Sequence, residues 1–345
     1  MRAYTEKVQV ITGQALTPNG RTVFTNQLPL GEGWYRMDLT FTINLTLGTG
    51  AGVTAGNDYE LRVIRGIQIR TDKGEMIVNL PGRALHKIAW MKAGCQPHRD
   101  VMAAVGAPTA YQVHIPIYFA DPWALRPEDT VLDTSRYNSV TLDVSMGPAA
   151  DLLDAIGTGT YTATMDCNLV RSKGPLDKEA KPIAHISYDF RQPIDASVGT
   201  VIDLERATDL WLRRLYIHES VVSAVANAGQ PCWGINSAAV QNIVSVRDQS
   251  GFIVQQRAAA NVAFDNKIEF GLESYADDVA APANAVGGRP MIGWYCHDFM
   301  EHDDSANSAL FTGNKSILQY SWTNIGGPAA GSFITAVTES HRTLK

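Results

Sequence analysis

From Met37 to Leu47 the chain alternates without a fault: Met37, Leu39, Phe41, Ile43, Leu45 and Leu47 are apolar, and every residue between them is polar. A period of two places all six side chains on one face of an extended segment, so the run predicts a strand with one side buried. The same pattern recurs in Val113, Ile115, Ile117 and Phe119, and again in Val140, Leu142, Val144 and Met146. Pro116 falls inside the second of these. It has no N–H to give to a ladder, so that strand belongs at a sheet edge or a bulge.

Further extended segments are expected at Leu61–Arg70, Glu75–Leu80, Tyr161–Val170, Leu210–Val221, Asn242–Asp248, Phe252–Gln255, Ile317–Trp322 and Phe333–Val337. Helical spacing is rare. Leu85, Ile88 and Ala89 share a face within Gly82–Ala93, and a shorter helix is expected over Ala149–Ala155. Strands without interleaved helices predict antiparallel sandwiches rather than a doubly wound sheet.

The segment Ser172–Pro182 is charged, broken by proline and glycine, and poor in large apolar residues, which marks a linker. It sits near the midpoint. The domain division expected is a first sandwich over 1–171 with an N-terminal arm, a linker and lead-in strand over 172–199, and a second sandwich with a C-terminal tail over 200–345. Sliding one half over the other at an offset of 177 (211 minus 34) brings Trp34 onto Trp211 and Arg36 onto Arg213. The same offset aligns Val63 with Val240, Arg70 with Arg247, Gly74 with Gly251, Ile115 with Ile292, Tyr118 with Tyr295, Asp121 with Asp298 and Ser139 with Ser316. Apolar character follows, with Val140 meeting Ile317. Gln68–Val78 and Ser245–Gln255 both read strand, glycine turn, strand, so a hairpin recurs in each half and the chain reads as a tandem duplication.

At 345 residues, with 45% hydrophobic and 19% charged positions, the chain can fill a sizeable core and is not disordered, collagenous or coiled-coil. Lys and Arg total 29 against 35 Asp and Glu, so no broad cationic face is expected and specific nucleic-acid binding is not. Cys95, Cys167, Cys232 and Cys296 lie far apart, without a Cys-x-x-Cys pair, and read as reduced, packed thiols. The first residues lack the apolar core of a secretory signal, which points to folding in a cytoplasm. The longest uncharged stretch, Ser220–Val246, is too polar to span a membrane.

Chemistry-bearing motifs are weak. Gly50-x-Gly52-x-x-Ala55 matches a loose dinucleotide pattern, but it leads into a strand and not into the helix N-terminus that would hold a phosphate. His297 to Asp304 is the densest set of metal-ligand types, with two histidines five apart, a spacing that suits neither a helix face nor a strand face. It reads as a solvated acidic loop at a subunit rim. His86, His98, His114, His185, His218 and His341 are scattered, and Asp121–Pro127 reads as a packed corner around Trp123. No catalytic, cofactor-binding or metal-binding residue is assigned, and no cofactor or enzyme activity is expected.

Two β-domains in one register resemble the double jelly-roll major capsid proteins of tailless icosahedral viruses. The run Ile115–Leu142, under a tenth of the chain, is similar to sequence in capsid proteins of membrane-containing bacteriophages and related proviruses. The second half departs from that run, keeping Tyr295, Asp298 and Ser316. The resemblance implies an all-β chain of two tandem eight-stranded sandwiches, three copies of which form a nearly hexagonal homotrimer that tiles a shell. It implies a virion location after assembly in the host cytoplasm. The partners implied are other copies of the chain, penton or minor capsid proteins, and an internal lipid membrane reached through the termini. Loops at Gly48–Asp58, Ser223–Asn236 and Gln256–Gly288 would form towers and trimer contacts, with Met1–Asn19 and Glu339–Lys345 as arms. Two other readings remain open at this point. One is a two-domain sandwich that binds or acts on glycans; the other is a minor vertex or spike protein of the same fold.

Overall fold

The computed structural model describes residues 5–25, 27–46, 59–100, 110–122, 130–152, 159–173, 183–193, 200–222, 231–232, 241–270, 294–299, 309–324 and 333–343. The chain divides into two compact units. One is built from Met1–His185 and Tyr275–Gly288 and the other from Ile186–Ser274 and Arg289–Lys345, so the first cut falls near the start of a strand.

The first unit contains β1 (Thr5–Leu16), β2 (Arg21–Phe24), β3 (Gly33–Thr46), α1 (Tyr59–Arg62), β4 (Ile64–Thr71), β5 (Met76–Leu80), α2 (Gly82–Ala93), β6 (Ala110–Tyr118), β7 (Leu132–Asp133), β8 (Val140–Met146) and β9 (Thr160–Ser172). One sheet runs β1-β9-β3-β6, with the short β7 beside β3, and the other runs β2-β8-β4-β5. The alternation read from the sequence builds the core: Met37, Leu39, Phe41 and Ile43 are completely buried, as are Val113, Ile115, Ile67, Ile69, Leu142 and Val144. Burial of one such side chain is worth about 1.5–3 kcal/mol, and period two delivers them in rows. Pro116 lies opposite Asp38 in β6, the last strand of its sheet, where a missing donor costs no ladder bond.

The second unit contains β10 (Ile183–Pro193), β11 (Thr200–Asp203), β12 (Leu210–Val222), β13 (Pro231–Cys232), β14 (Gln241–Asp248), β15 (Gly251–Ala258), α3 (Ala259–Glu269), β16 (Trp294–Asp298), β17 (Leu310–Phe311), β18 (Leu318–Asn324) and β19 (Phe333–Thr343). One sheet runs β10-β19-β12, with β13, β16 and β17 each pairing β12, and the other runs β11-β18-β14-β15. Leu215, Ile217, Ile334 and Ala336 from the first sheet pack in one cluster with Val244, Val246, Leu318 and Tyr320 from the second.

Replacing β1, β9, β3 and β6 by β10, β19, β12 and β16, and β2, β8, β4 and β5 by β11, β18, β14 and β15, turns one strand order into the other. Each unit is an eight-stranded jelly roll, and the chain is a double one. The offset of 177 holds where the hairpin was expected: Ile64–Thr71 becomes Gln241–Asp248, and both Gly74 (φ 80°) and Gly251 (φ 137°) take the left-handed turn position. It also carries Gly82, the first residue of α2, onto Ala259, the first of α3.

Elsewhere the single register fails. Ladder partners place Val140 opposite Thr71 and Leu318 opposite Asp248, so the counterpart of Val140 is Leu318, and Ile317 is 43% exposed. One residue of slip reverses which face a side chain takes. The match of Tyr118 with Tyr295 fails similarly, because Tyr118 faces Arg36 whereas Tyr295 faces Ile217, three residues beyond the rung of Arg214.

Three expectations about loops and arms are corrected. Thr5–Leu16, within the expected N-terminal arm, is a strand paired with β9 over most of its length. Glu339–Thr343, within the expected C-terminal arm, belongs to β19 and pairs with β12. Of the expected loop Gln256–Gly288, Gln256–Ala258 finishes β15 and Ala259–Glu269 is helix. The helix expected over Gly82–Ala93 is present, stopped by Gly94 in the left-handed conformation with its N–H on the Trp90 carbonyl. Over Ala149–Ala155 the described part is one 3-10 turn, Ala149–Asp151.

Candidate functional site

Strands fix polar side chains on the outward faces of the sheets as firmly as apolar ones on the inward faces. On β3 of the first unit Asp38 points away from the core yet is 1% exposed, because side chains from three strands close over it. Arg36 Nε lies 2.7 Å from Oδ1, Lys7 Nζ of β1 lies 3.2 Å from Oδ2, and His114 Nε2 of β6 lies 3.6 Å from Oδ1. Burial pushes the Asp38 pKa up; His114, Arg36 and Lys7 together outweigh it and hold the carboxyl well below the usual carboxylate range. Arg36 also stands over the Tyr118 ring, 5.5 Å from its centroid. The other sheet repeats the device: Asp143 of β8 is buried under Arg21 of β2, with Arg70 of β4 3.9 Å away.

In the second unit the corresponding polar set lies deeper. Arg214 Nε is 2.8 Å from Asp298 Oδ2, and the Tyr216 hydroxyl donates to Glu339 Oε2 at 2.8 Å. Arg213 Nη1 lies 3.8 Å from Glu339 Oε1. Arg213, Arg214, Tyr216, Glu339 and His341 are all 3% exposed or less. Helix α3 docks through a side-chain amide: Asn266 Nδ2 donates to the Cys296 carbonyl at 2.9 Å and the Cys296 N–H donates back to Asn266 Oδ1 at 2.6 Å. Both β4–β5 and β14–β15 turns are tied to the strand start beside them, Asn138 donating to Asp72 and Lys315 to Asp248. These arrangements rigidify sheets. Among the described residues no group of three His, Cys, Asp or Glu is placed to hold a metal ion.

The structure treats the sequence motifs as follows. His297 and Asp298 are not part of a solvated loop: they end strand β16, His297 is 6% exposed, and Asp298 is ion-paired. Glu301 to Asp304, the glycine loop at 50–55 and Trp123 lie outside the described residues. Asp121, the first residue of the expected corner, is fully buried and its N–H donates to Thr130 Oγ1 at 2.7 Å. Cys167 and Cys296 are buried free thiols, but Cys95 is exposed, which corrects the expectation of packing for that residue. The Asp38 and Asp143 clusters escaped sequence reading because their members are far apart in the chain, as with Arg21 and Asp143, 122 residues from one another.

No protein-family model and no curated protein matches the chain. Solved structures do. The major capsid protein of Sulfolobus turreted icosahedral virus superposes with a TM-score of 0.69 at 9% identity, over 99% of this chain and 97% of that one. The major capsid protein of bacteriophage PM2 gives 0.60 at 11% identity, over 99% and 98%. The Faustovirus major capsid protein gives 0.59 at 8% identity, over 99% and 90%. At such identities the likeness is one of backbone architecture, and what it establishes is that this chain has, from end to end, the double jelly-roll fold of these viral major capsid proteins.

Proposed function

We propose that the protein is a structural major capsid subunit, assembling as a pseudo-hexagonal homotrimer that tiles an icosahedral virus shell. The observation that carries this reading is the pair of jelly rolls with one strand order in a single chain, matched to viral capsid subunits over 99% of its length. Three chains with two similar sandwiches each supply six similar bodies around an axis, so one gene product can fill a hexagonal lattice. In this reading residues 1–171 make the first body, 172–199 the link and lead-in strand, and 200–345 the second. The protein's partners are its own copies, then penton or minor capsid proteins at vertices, with an internal membrane where the virion has one. Its location is the virion shell, reached after folding in the host cytoplasm, and no catalytic role is proposed.

Native mass measurement and electron microscopy of the purified protein test the proposal. The expected result is a species of three times 37.5 kDa with a six-sided outline. A monomer under all assembly conditions that binds a glycan would overturn it.

A further inference from the structure

We propose that the imidazole of His297, enclosed in the second jelly roll between Tyr295 and Tyr320, makes that unit the acid-sensitive half of the molecule, opening first at the β16 edge. The geometry is that of a ring enclosed by aromatic side chains, with one of its nitrogens buried and unpartnered. Its centroid lies 5.9 Å from the Tyr295 ring, edge-on at 89°, and 5.9 Å from the Tyr320 ring. The two tyrosine hydroxyls are hydrogen-bonded to each other. His297 Nε2 is buried without a hydrogen-bond partner. The ladder partner on β12 is Leu215, which is completely buried.

The described charges around the ring do not favour an imidazolium. From β15 the group acting on it is the Arg257 guanidinium, itself a cation, which pairs with Asp265 of α3. The other acid described on α3, Glu269, is exposed. Asp298, next along β16, is engaged by Arg214 of β12. β18 contributes Tyr320. Burial first, and Arg257 second, lower the His297 pKa to about 4. His341, in the same sheet, lies flat on Trp211 at 2° and 6.1 Å, and burial followed by Arg213 lowers it to about 3. In the first unit His114 Nε2 lies 3.6 Å from the Asp38 carboxylate, and His86, buried in α2, has its Nε2 3.2 Å from the Pro97 carbonyl oxygen.

The sign follows from linkage. The unfolded chain takes up a proton at His297 near the ordinary value of ~6.5, and the folded unit resists it until about 4. The contribution to stability is therefore complete above about pH 6.5, falls as pH drops from there toward 4, and levels off below. Over that window the folded-to-unfolded ratio of the second unit drops by a factor on the order of 300 from this residue.

The inference does not depend on the capsid reading. Its test is amide hydrogen exchange on the full-length protein, stepped from pH 7 to pH 4 and corrected for intrinsic rates, together with imidazole C2 hydrogen exchange at His297. Peptides from β16 and β18 are expected to lose protection between pH 6.5 and 4.5 while those from β3 and β9 keep it. His297→Phe and, as a smaller uncharged replacement, His297→Gln are each expected to move that loss to lower pH. A His297 that titrates near 6.5 in the folded protein would overturn the proposal. Simultaneous loss of protection in both units of the wild type would do the same.

Discussion

Arg36 and Arg214, rather than the Arg213 that the offset of 177 sets against Arg36, stand on the same rung of the two jelly rolls. Each is the first residue after a register shift against the neighbouring last strand, between Trp34 and Arg36 in β3 and between Leu212 and Arg214 in β12. Arg36 faces Tyr118 across its sheet and remains a third exposed, whereas Arg214 faces Asp298 and is 3% exposed. The two jelly rolls thus hold a carboxylate-paired cation on the same rung in different settings, part-exposed beside Asp38 in the first and closed off beside Asp298 in the second.

The difference predicts unequal costs. Arg214→Ala removes a buried guanidinium from the largely covered Asp298 carboxylate and should destabilise the second unit by roughly 2–3 kcal/mol. Arg36→Ala leaves Asp38 with Lys7 and His114 and, being part-exposed, should cost about 1 kcal/mol or less. Urea denaturation of both variants checks the ordering; equal losses would show that the rung is not differentiated.

Gly82 and Ala259 open the two helices at equivalent positions, and only the second tolerates a side chain. A Cβ on Gly82 would lie 2.7 Å from Ile64 Cβ and Cγ2 and 3.1 Å from Ile115 Cδ1. Gly82→Ala should therefore strain the first unit by about 1–3 kcal/mol, although alanine is the better helix former. Ala259→Gly should also destabilise, by removing a methyl from the core cluster and adding backbone freedom, at about 1 kcal/mol. Thermal unfolding of both variants tests the pair.

How far these features were legible depends on which signal carried them. Alternation at Met37–Leu47 and Val140–Met146 located strands to within a few residues because each has one fully buried face. β1 gave no such signal: it lies at the end of its sheet, carries register shifts around Ile11, and has Gly13 at φ 53°. Helix α3 was hidden by a polar residue on its buried side. Ala259, Val262 and Asn266 recur at helical spacing, and Asn266 docks by hydrogen bonds where a hydrophobic residue is the usual cue. The offset of 177 from α2 was the signal that could have found it. The duplication was legible as topology but not as one register, since one-residue register shifts and unequal loops accumulate between strands.

Asp38 gives the first unit a pH dependence of its own, in a lower window than that of His297. Its folded pKa is depressed, so its contribution is present above the unfolded value of ~3.9 and is lost as pH falls below that. Asp38→Asn should destabilise the first unit at pH 7 by about 2 kcal/mol, partly because Lys7 and Arg36 lose the charge between them. The gap between variant and wild type should narrow at pH 3. Denaturant midpoints at pH 7, 5 and 3 measure it, and a gap that is constant across the three would rule out ionisation as its source.

The thiols offer a readout of each unit separately. Burial, then the Asp38 charge, raises the Cys167 pKa to about 12, and burial, then Asp298, raises Cys296 well above the ordinary thiol value. A thiol reacts as its thiolate, so both should be inert toward an alkylating reagent at pH 8, whereas exposed Cys95 should label within minutes. Peptide mass spectrometry distinguishes the three. In rising urea, labelling of Cys167 reports opening of the first jelly roll and labelling of Cys296 opening of the second. Lowering the pH from 7 to 5 should move the labelling of Cys296 to lower urea by more than it moves that of Cys167, because the unfolded second unit takes up a proton at His297 while Asp38, held below the usual carboxylate range, stays ionised. Labelling of Cys296 without denaturant at pH 8 would mean that the β16 strand is not closed as described.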